Sequence, residues 1–327
     1  MRPTLLIDRS DRARIELSGA QAVATLNGLV TNDVGALKPG QGQYAAALTA
    51  KGKIVADMIV LMLDERLQIH TAPAAAPGLR AMLTKFVNPR FATRTDVSDE
   101  TADMTLVGED AAEIIARASN GGVSADALTG LAQFGHIPGM VGTSPVSIVR
   151  LPAIGARNEN VYSVIGRRSQ VHNVRSALRA AGAIDADAAA LDVMRVESGF
   201  PEWGIDMDEN TLPQEANLDD MHAVSYTKGC YIGQETVARI HFRGHVNRSL
   251  RRLIFADGGA PPRGAVLQDA EHRSIGDVRS TASSEVEGVI GIGMVRREID
   301  DGQTIDVHWE GGGTSAVVTG KAKGAND

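Results

Sequence analysis

The order of predicted helices and strands along this chain changes near residue 249. Upstream, a meander of strands over residues 44–71 is followed by helical patterns such as 77–86 and 170–181, without the regular alternation of a doubly wound sheet. Downstream, the pattern contains only short strands, such as residues 250–255, separated by Gly, Pro and Asp. The sequence therefore predicts an α+β protein whose C-terminal part is a small β-barrel.

The length of the chain predicts more than one domain, because 327 residues exceed the usual size of a single core. Residues 120–144 are rich in Gly, Ser and Pro and weakly periodic, which is typical of loops between lobes. We expect a discontinuous first α+β lobe formed by residues 1–42 and 120–240. Residues 43–119 are expected to form a second α+β lobe, and residues 241–327 the barrel.

Charge and cysteine content restrict the partners and the compartment. The net charge of −7 gives no electrostatic footprint for general nucleic-acid binding, and no apolar run is long enough to cross a membrane. The N-terminus reaches Asp8 before the apolar core of a signal peptide can form. Cys230 is the single cysteine, which excludes an internal disulfide and fits a reducing compartment. We expect a cytoplasmic monomer with a free thiol.

The segment around this cysteine can support thiol chemistry. Lys228 lies two residues before Cys230, and glycines at positions 229 and 233 permit tight backbone geometry. A nearby ammonium favours the thiolate, which is the nucleophilic and metal-binding form of cysteine. A small buried thiol is the alternative interpretation, and the local pattern leaves both open.

Carboxylates, aromatic residues and turn residues are crowded together over residues 195–206. Glu197, at a predicted helix end, can project a carboxylate that accepts two parallel N–H groups of a flat heterocycle, with Arg195 and Trp203 as pocket walls. A helix end held by surface ion pairs explains the same pattern.

A basic stretch follows this region. It contains Arg239, His241, Arg243, His245, Arg248, Arg251 and Arg252. Its residues form either a solvated face or a site for an anionic ligand tail, to which Arg239 would contribute. A metal site built on His241, His245 and Cys230 is a third possibility. Because Gly244 and Val246 indicate a strand or turn in which the two histidines diverge, we expect no metal there.

The cysteine segment carries a family resemblance. Residues 228–235 read Lys-Gly-Cys-Tyr-Ile-Gly-Gln-Glu, which resembles the signature of YgfZ-type folate-binding proteins in the superfamily of the glycine-cleavage T-protein, an aminomethyltransferase. Residues 26–28 with 31–34, 40–44 and 52–57 resemble the N-terminal blocks of the superfamily. Its central block is resembled by Arg195, Glu197, Gly199, Pro201, Gly204, Asp206 and residues 213–218. The resemblance is weak in residues 67–144 and in the C-terminal barrel.

This resemblance implies three domains in a ring around a central folate channel. It implies that Glu197 holds the pterin ring of tetrahydrofolate or of a one-carbon derivative, and that Lys228 and Cys230 carry the functional motif. We expect Arg195, Trp203, Gln234 and Arg239 to complete the cofactor site. The role implied is assembly or repair of iron–sulfur enzymes, including one that modifies tRNA, with iron–sulfur proteins or cluster-assembly factors as partners.

The alternative is a folate-dependent aminomethyltransferase or demethylase acting on one-carbon units. Transferases of this superfamily use an aspartate during methylene transfer, and the segment in which we expect it, residues 69–77, contains no carboxylate. Without such a group, general acid–base catalysis lacks its agent. Whether the protein is an enzyme is left open by the sequence.

Overall fold

The computed structural model describes residues 2–256 and 259–321. Residues 1, 257–258 and 322–327, which belong to the predicted first lobe and barrel, lie outside the described part. The strands are β1 Leu5–Asp8, β2 Ala13–Ser18, β3 Gly42–Leu48, β4 Ile54–Met62, β5 Arg66–Thr71, β6 Thr93–Asp96, β7 Thr101–Val107, β8 His136–Val141, β9 Ser144–Ile154, β10 Glu159–Arg167, β11 Ile184–Ala186, β12 Arg248–Phe255, β13 Val266–Gln268, β14 Ser274–Ser284, β15 Gly288–Arg296, β16 Thr304–Trp309 and β17 Gly312–Val318. The helices are α1 Ala22–Asn27, α2 Ala76–Phe86, α3 Ala111–Ala118, α4 Ala125–Thr129, α5 Val171–Ala180, α6 Ala188–Ser198 and α7 Gln234–Arg243.

Two sheets and a barrel organise these elements. The first sheet has the strand order β11-β1-β7-β10-β9-β8, and the second has the order β3-β4-β5-β2-β6. Strands β12 to β17 close into a barrel, which leaves no open sheet edge. The predicted α+β class with a C-terminal barrel is confirmed.

Helices α1 and α2 pack on one face of the second sheet, helices α3 to α5 pack on one face of the first, and the opposite faces of the two sheets meet each other. Helix α6 packs on the inner face of the first sheet, where Leu191 joins a cluster with Val161. In β4, Met58 and Val60 join the core shared with α1 and α2, whereas Ile59 and Leu61 point to the other side. Leu61 there contacts Val149 of β9 in a cluster between the sheets. Since both faces of β4 are covered, this strand is apolar almost throughout, with a single charged residue in its middle.

Strand pairing divides the chain at different points from the predicted lobes. β2 belongs to the second sheet, where it pairs with β5 and β6, although residues 1–42 were expected in the first lobe. β7 pairs with β1 and β10 in the first sheet, although it lies within residues 43–119. Strand pairing does not test whether each predicted domain folds independently, so the domain boundaries stay a prediction.

Two local expectations are wrong. The segment 120–144, predicted as loops, contains α4 and β8, and β8 is held by pairing with β9. Helix α7 runs through position 241, where the barrel was expected to begin and a strand or turn was expected.

Among the residues that the structure describes, no helix is both long and apolar enough to span a membrane.

Candidate functional site

A cavity of about 190 Å³ lies between the facing surfaces of the two sheets. Its apolar walls come from β4, β9 and β10, and α6 with the segment that follows it closes one side. The apolar lining consists of Ile59, Leu61, Phe134, Val149, Leu151, Pro152, Ile154, Val161, Ile165, Leu191, Phe200, Pro201 and Met221. A mostly apolar enclosure with a few polar groups is the usual form of a small-molecule site.

Asp57 of β4 is a buried carboxylate in the cavity wall. Its Oδ2 accepts a hydrogen bond of 2.8 Å from the hydroxyl of Tyr44, and its Oδ1 has no hydrogen-bond partner among the described residues. Burial, together with the negative charge of Glu202, raises the pKa of Asp57 to about 6. Tyr44 also stacks on Phe134, with 6.4 Å between ring centroids, so the carboxylate lies beside an aromatic wall.

Other titratable side chains line the same cavity. Glu202 Oε1 lies 3.6 Å from Arg12 Nη1, so the guanidinium balances part of the negative charge of Glu202. Burial, with the positive charges of Arg14 and Arg12, holds the pKa of His70 well below its usual value. The His70 imidazole is therefore neutral, and its Nε2 lies 2.8 Å from Gln68 Oε1.

Arg195 connects the cavity to the barrel. Its Nη1 pairs with Asp206 at 2.5 Å, and its Nη2 donates to Ser280 of β14 at 3.0 Å. Nε pairs with Asp192 at 2.8 Å. Burial alone would lower the pKa of Arg195, but Asp206 and Asp192 outweigh it and raise the pKa. Because protein groups engage its nitrogens, Arg195 forms a wall rather than a free ligand donor.

The structure does not bring Glu197 or Trp203 to the cavity lining. Glu197 Oε1 accepts from Ser284 of the barrel at 2.5 Å, and Oε2 accepts from the Ala156 backbone N–H at 2.9 Å. Trp203 packs between the core of the second sheet and an apolar cluster that includes the barrel residues Leu250 and Ile292. Their roles as ligand-contacting residues remain predictions, and the hydrogen bonds of Glu197 instead join α6 to the barrel and to the β9–β10 turn.

Lys228 is buried and fixes the segment that carries the cysteine. Its ammonium donates to the backbone carbonyl oxygens of Asn27, Val30 and Asn32, at 2.6, 2.9 and 2.6 Å. Burial lowers the pKa of Lys228 to about 8, so the side chain is mainly the ammonium at neutral pH. Because all three N–H donors are used by backbone oxygens, Lys228 is an anchor in this state.

Cys230 is a free, exposed thiol on the loop that follows this anchor. The interpretation as a buried thiol is therefore wrong. The loop returns to the β3–β4 turn through Gly233, whose φ of +86° suits glycine and whose Cβ, if present, would lie 2.6 Å from the Thr49 carbonyl oxygen. The thiol is thus displayed by a loop that is held on both sides.

Gln234 and Arg239 lie on α7, outside the cavity lining. In the basic stretch, the side chains of Arg248, Arg251 and Arg252 form ion pairs with acidic residues. Arg239 is exposed and has no ion-pair partner in the described ranges. In the same part of the chain, no group of three or more His, Cys, Asp or Glu side chains is arranged to hold a metal ion.

Comparison with known proteins decides the family. A family model described as the GCVT N-terminal domain matches residues 3–227, more than half of the chain. The chain belongs to the GCVT family. The crystal structure of glycine cleavage system aminomethyltransferase T from Bartonella henselae superposes with a TM-score of 0.83 at 23% identity, covering 97% of this chain and 85% of that one. At this identity the superposition establishes the fold.

Curated relatives of this GCVT-family protein have three different names. An iron–sulfur cluster assembly factor IBA57 homologue from Mycosarcoma maydis is 27% identical, over 78% of this chain and 58% of that protein. A tRNA-modifying protein YgfZ from Yersinia enterocolitica is 28% identical, over 81% and 76% of the two chains. An aminomethyltransferase from Halothermothrix orenii is 30% identical, over 89% and 80%.

Sequence reasoning predicted Arg195 as a wall of the site but missed Tyr44, Asp57 and Glu202, although part of the signal was present. Tyr44 and Asp57 lie in segments of family resemblance, and Asp57 interrupts an otherwise apolar strand. A carboxylate in such a strand is costly unless it is paired or used. The absence of a carboxylate from residues 69–77 therefore does not leave the site without one.

Proposed function

We propose that this GCVT-family protein binds tetrahydrofolate in the cavity between its sheets and supports the assembly or repair of iron–sulfur enzymes through the loop that carries Cys230. The cavity is the observation that carries the proposal. An interior cavity of about 150 Å³ accommodates a benzene-sized ring. A volume of about 190 Å³ therefore suits the flat ring of a pterin, while the remainder of the folate extends outside.

The polar lining fits the same ligand. A pterin presents N–H groups along one edge, and Asp57 and Glu202 offer carboxylate oxygens as acceptors beside the aromatic ring of Tyr44. The walls are otherwise apolar, which favours burial of a flat ring. When bound, the folate would supply one-carbon chemistry, and the chain's own residues would hold the ring and exclude water.

The second half of the proposal depends on Cys230. Relatives named as an iron–sulfur cluster assembly factor and as a tRNA-modifying protein support this role. An exposed thiol on an anchored loop is accessible to a partner protein, whereas a buried thiol would be inert. Lys228 would position this loop, and Arg239 on the exposed side of α7 would contact the partner or the anionic end of the folate.

Two measurements test the folate role and the thiol role separately. Calorimetric titration with tetrahydrofolate should show saturable binding by the wild type and by Cys230→Ala, because the thiol is outside the cavity lining. In cells, Cys230→Ala should reduce iron–sulfur enzyme activity. No binding by the wild type would remove the folate role, and unchanged enzyme activity would remove the thiol role. Glu197→Ala in the same titration tests the assignment made from the family resemblance.

The alternative, folate-dependent aminomethyl transfer, is favoured by one observation. With a pKa of about 6, Asp57 is suited to accept and return a proton near neutral pH. The aminomethyltransferase relative supports this activity to a similar degree. Methylene transfer from a lipoyl-bound aminomethyl donor to tetrahydrofolate by the purified protein, lost in Asp57→Asn, would establish it.

A further inference from the structure

The last turns of α7 expose an aromatic ring between two arginines. Arg239, Phe242 and Arg243 are spaced i, i+3 and i+4, so they lie on one face of the helix, and all three are exposed. Val237, on the opposite face, is buried and packs into the core. Phe242 is 66% exposed, more than any other large hydrophobic residue in the described part of the chain. Burial of this ring would therefore stabilise a complex.

The ring of Phe242 is held in place although it is exposed. Its centroid lies 5.9 Å from that of Tyr226 at an interplanar angle of 76°, and 4.8 Å from that of His241 at 87°. Tyr226 and His241 in turn stack on each other with 3.6 Å between centroids, and the Tyr226 hydroxyl donates to Asp219 at 2.6 Å. An aromatic side chain that is already ordered loses little entropy on binding, as is typical of interface hot spots.

The exposed end of α7 is positively charged in a protein whose net charge is −7. Arg239 and Arg243 form no ion pair within residues 2–256 and 259–321, and His241 and His245 are exposed beside them. The acidic residue of α7, Glu235, lies in its first turn. The helix dipole favours a cation in the last turn, but it does not explain an exposed aromatic ring between two cations. Charge and shape together therefore indicate a surface for an anionic partner.

The same surface lies within reach of the Cys230 thiol. Tyr226, which supports the ring of Phe242, precedes Cys230 by four residues, so the Cα atoms of Tyr226 and Cys230 are at most about 14 Å apart. A protein interface of standard size buries about 800 Å² on each partner and extends over about 30 Å. One partner can therefore cover Phe242 and also contact the exposed thiol.

We propose that the face formed by Arg239, Phe242 and Arg243 is the docking surface for an acidic protein. The inference rests on the proposed role in iron–sulfur assembly and names where the partner binds. The partner would bury the ring in an apolar notch bordered by carboxylates that pair with the two guanidinium groups. A nucleic acid fits less well, because the cations are grouped at one helix end rather than along a groove, and the net charge repels a polyanion.

Photo-crosslinking in cells tests the place of binding. The photoreactive residue benzoylphenylalanine replaces Phe242 in the full chain. In the control it replaces Phe86, which is also an exposed ring at the end of a helix and lies beside Lys85. Irradiation should join position 242, but not position 86, to an acidic iron–sulfur protein or cluster-assembly factor. The inference is overturned if position 242 gives no specific adduct, or an adduct with RNA, with a basic protein or with a second copy of this chain.

Titration calorimetry with the purified captured protein measures the contribution of the surface. Phe242→Ser should weaken binding at least about tenfold, as loss of a hot-spot residue does. Arg239→Glu combined with Arg243→Glu should weaken it at least about tenfold at about 50 mM salt and less at about 500 mM, where charges are screened. Phe86→Ser and Arg157→Glu, the same changes at exposed positions elsewhere, should alter it by less than about twofold. Unchanged binding by the variants of the α7 face overturns the inference.

Activity of iron–sulfur enzymes in cells separates the inference from the proposed function. Phe242→Ser should lower this activity, as Cys230→Ala is expected to do, while circular dichroism shows that both variants are folded. If Cys230→Ala lowers the activity and Phe242→Ser does not, the docking surface is wrong and the thiol role stands. If only Phe242→Ser lowers it, the docking surface stands and the thiol role is wrong. If neither does, both are wrong.

Discussion

The ammonium of Lys228 lies 2.6 Å from the carbonyl oxygen of Asn27, the last residue of α1. The residues are 201 positions apart in sequence, so this bond ties the cysteine segment to the helix that packs on the second sheet. Two more carbonyl oxygens, those of Val30 and Asn32, complete the cluster. Lys228, which was expected to activate the Cys230 thiol, instead holds the loop that carries this thiol in place.

Replacing Lys228 by Met should destabilise the protein, because three buried or partly buried carbonyl oxygens lose a charged donor. We expect the free energy of unfolding to fall by about 2–4 kcal/mol in urea denaturation. Lys38→Met, the same change at a side chain that makes no such contacts, should alter it by less than about 0.5 kcal/mol. Equal effects of the two substitutions would show that Lys228 is not an anchor.

Two glycines of the cysteine loop should respond differently to alanine. Gly233 has a φ of +86°, and an added Cβ would lie 2.6 Å from the Thr49 carbonyl oxygen, so Gly233→Ala should cost about 2–4 kcal/mol. At Gly229 an added Cβ would meet no atom within 4 Å, and Gly229→Ala should change stability by less than about 0.5 kcal/mol. Thermal unfolding measures both, and similar melting temperatures would contradict the close contact with the β3–β4 turn.

Asp57→Asn should stabilise the ligand-free protein at pH 7. The folded-state pKa of about 6 lies above the unfolded value of about 3.9, so the folded protein binds more protons between these values. Wild-type stability therefore falls as pH rises through this window, and the variant lacks this loss. Above pH 6 the variant should be more stable by on the order of 1–3 kcal/mol in urea denaturation. A constant difference from pH 4 to pH 7 would contradict the raised pKa.

The ion pairs of Arg195 should differ in strength. Asp206 is fully buried, so Asp206→Asn leaves the buried guanidinium poorly compensated and should cost about 3–5 kcal/mol. The side chain of Asp192 is 48% exposed, and Asp192→Asn should cost less than about 1 kcal/mol. Chemical denaturation of the two variants measures the contrast. Comparable losses would mean that solvent screens both pairs alike.

Local patterns predicted the elements that local physics specifies. The meander of β3, β4 and β5 and the helices α5 and α6 follow from short-range periodicity and turn residues. The short, regularly spaced C-terminal strands predicted the closed barrel. The allocation of β2 and β7 to sheets was not predictable in this way, because their partners are remote in sequence and several pairings satisfy the same local pattern.

The sequence by itself determined the α+β class, the barrel, the lone thiol at Cys230 and the family resemblance. These depend on composition, periodicity and a contiguous motif. Only the tertiary structure decided that Lys228 anchors a loop, that Glu197 joins α6 to the barrel, and that Asp57 meets Tyr44 in a cavity. Those roles depend on which atoms of distant segments are brought within hydrogen-bonding distance, and on the burial that shifts a pKa. Neither these distances nor this burial is determined by residues that are adjacent in sequence.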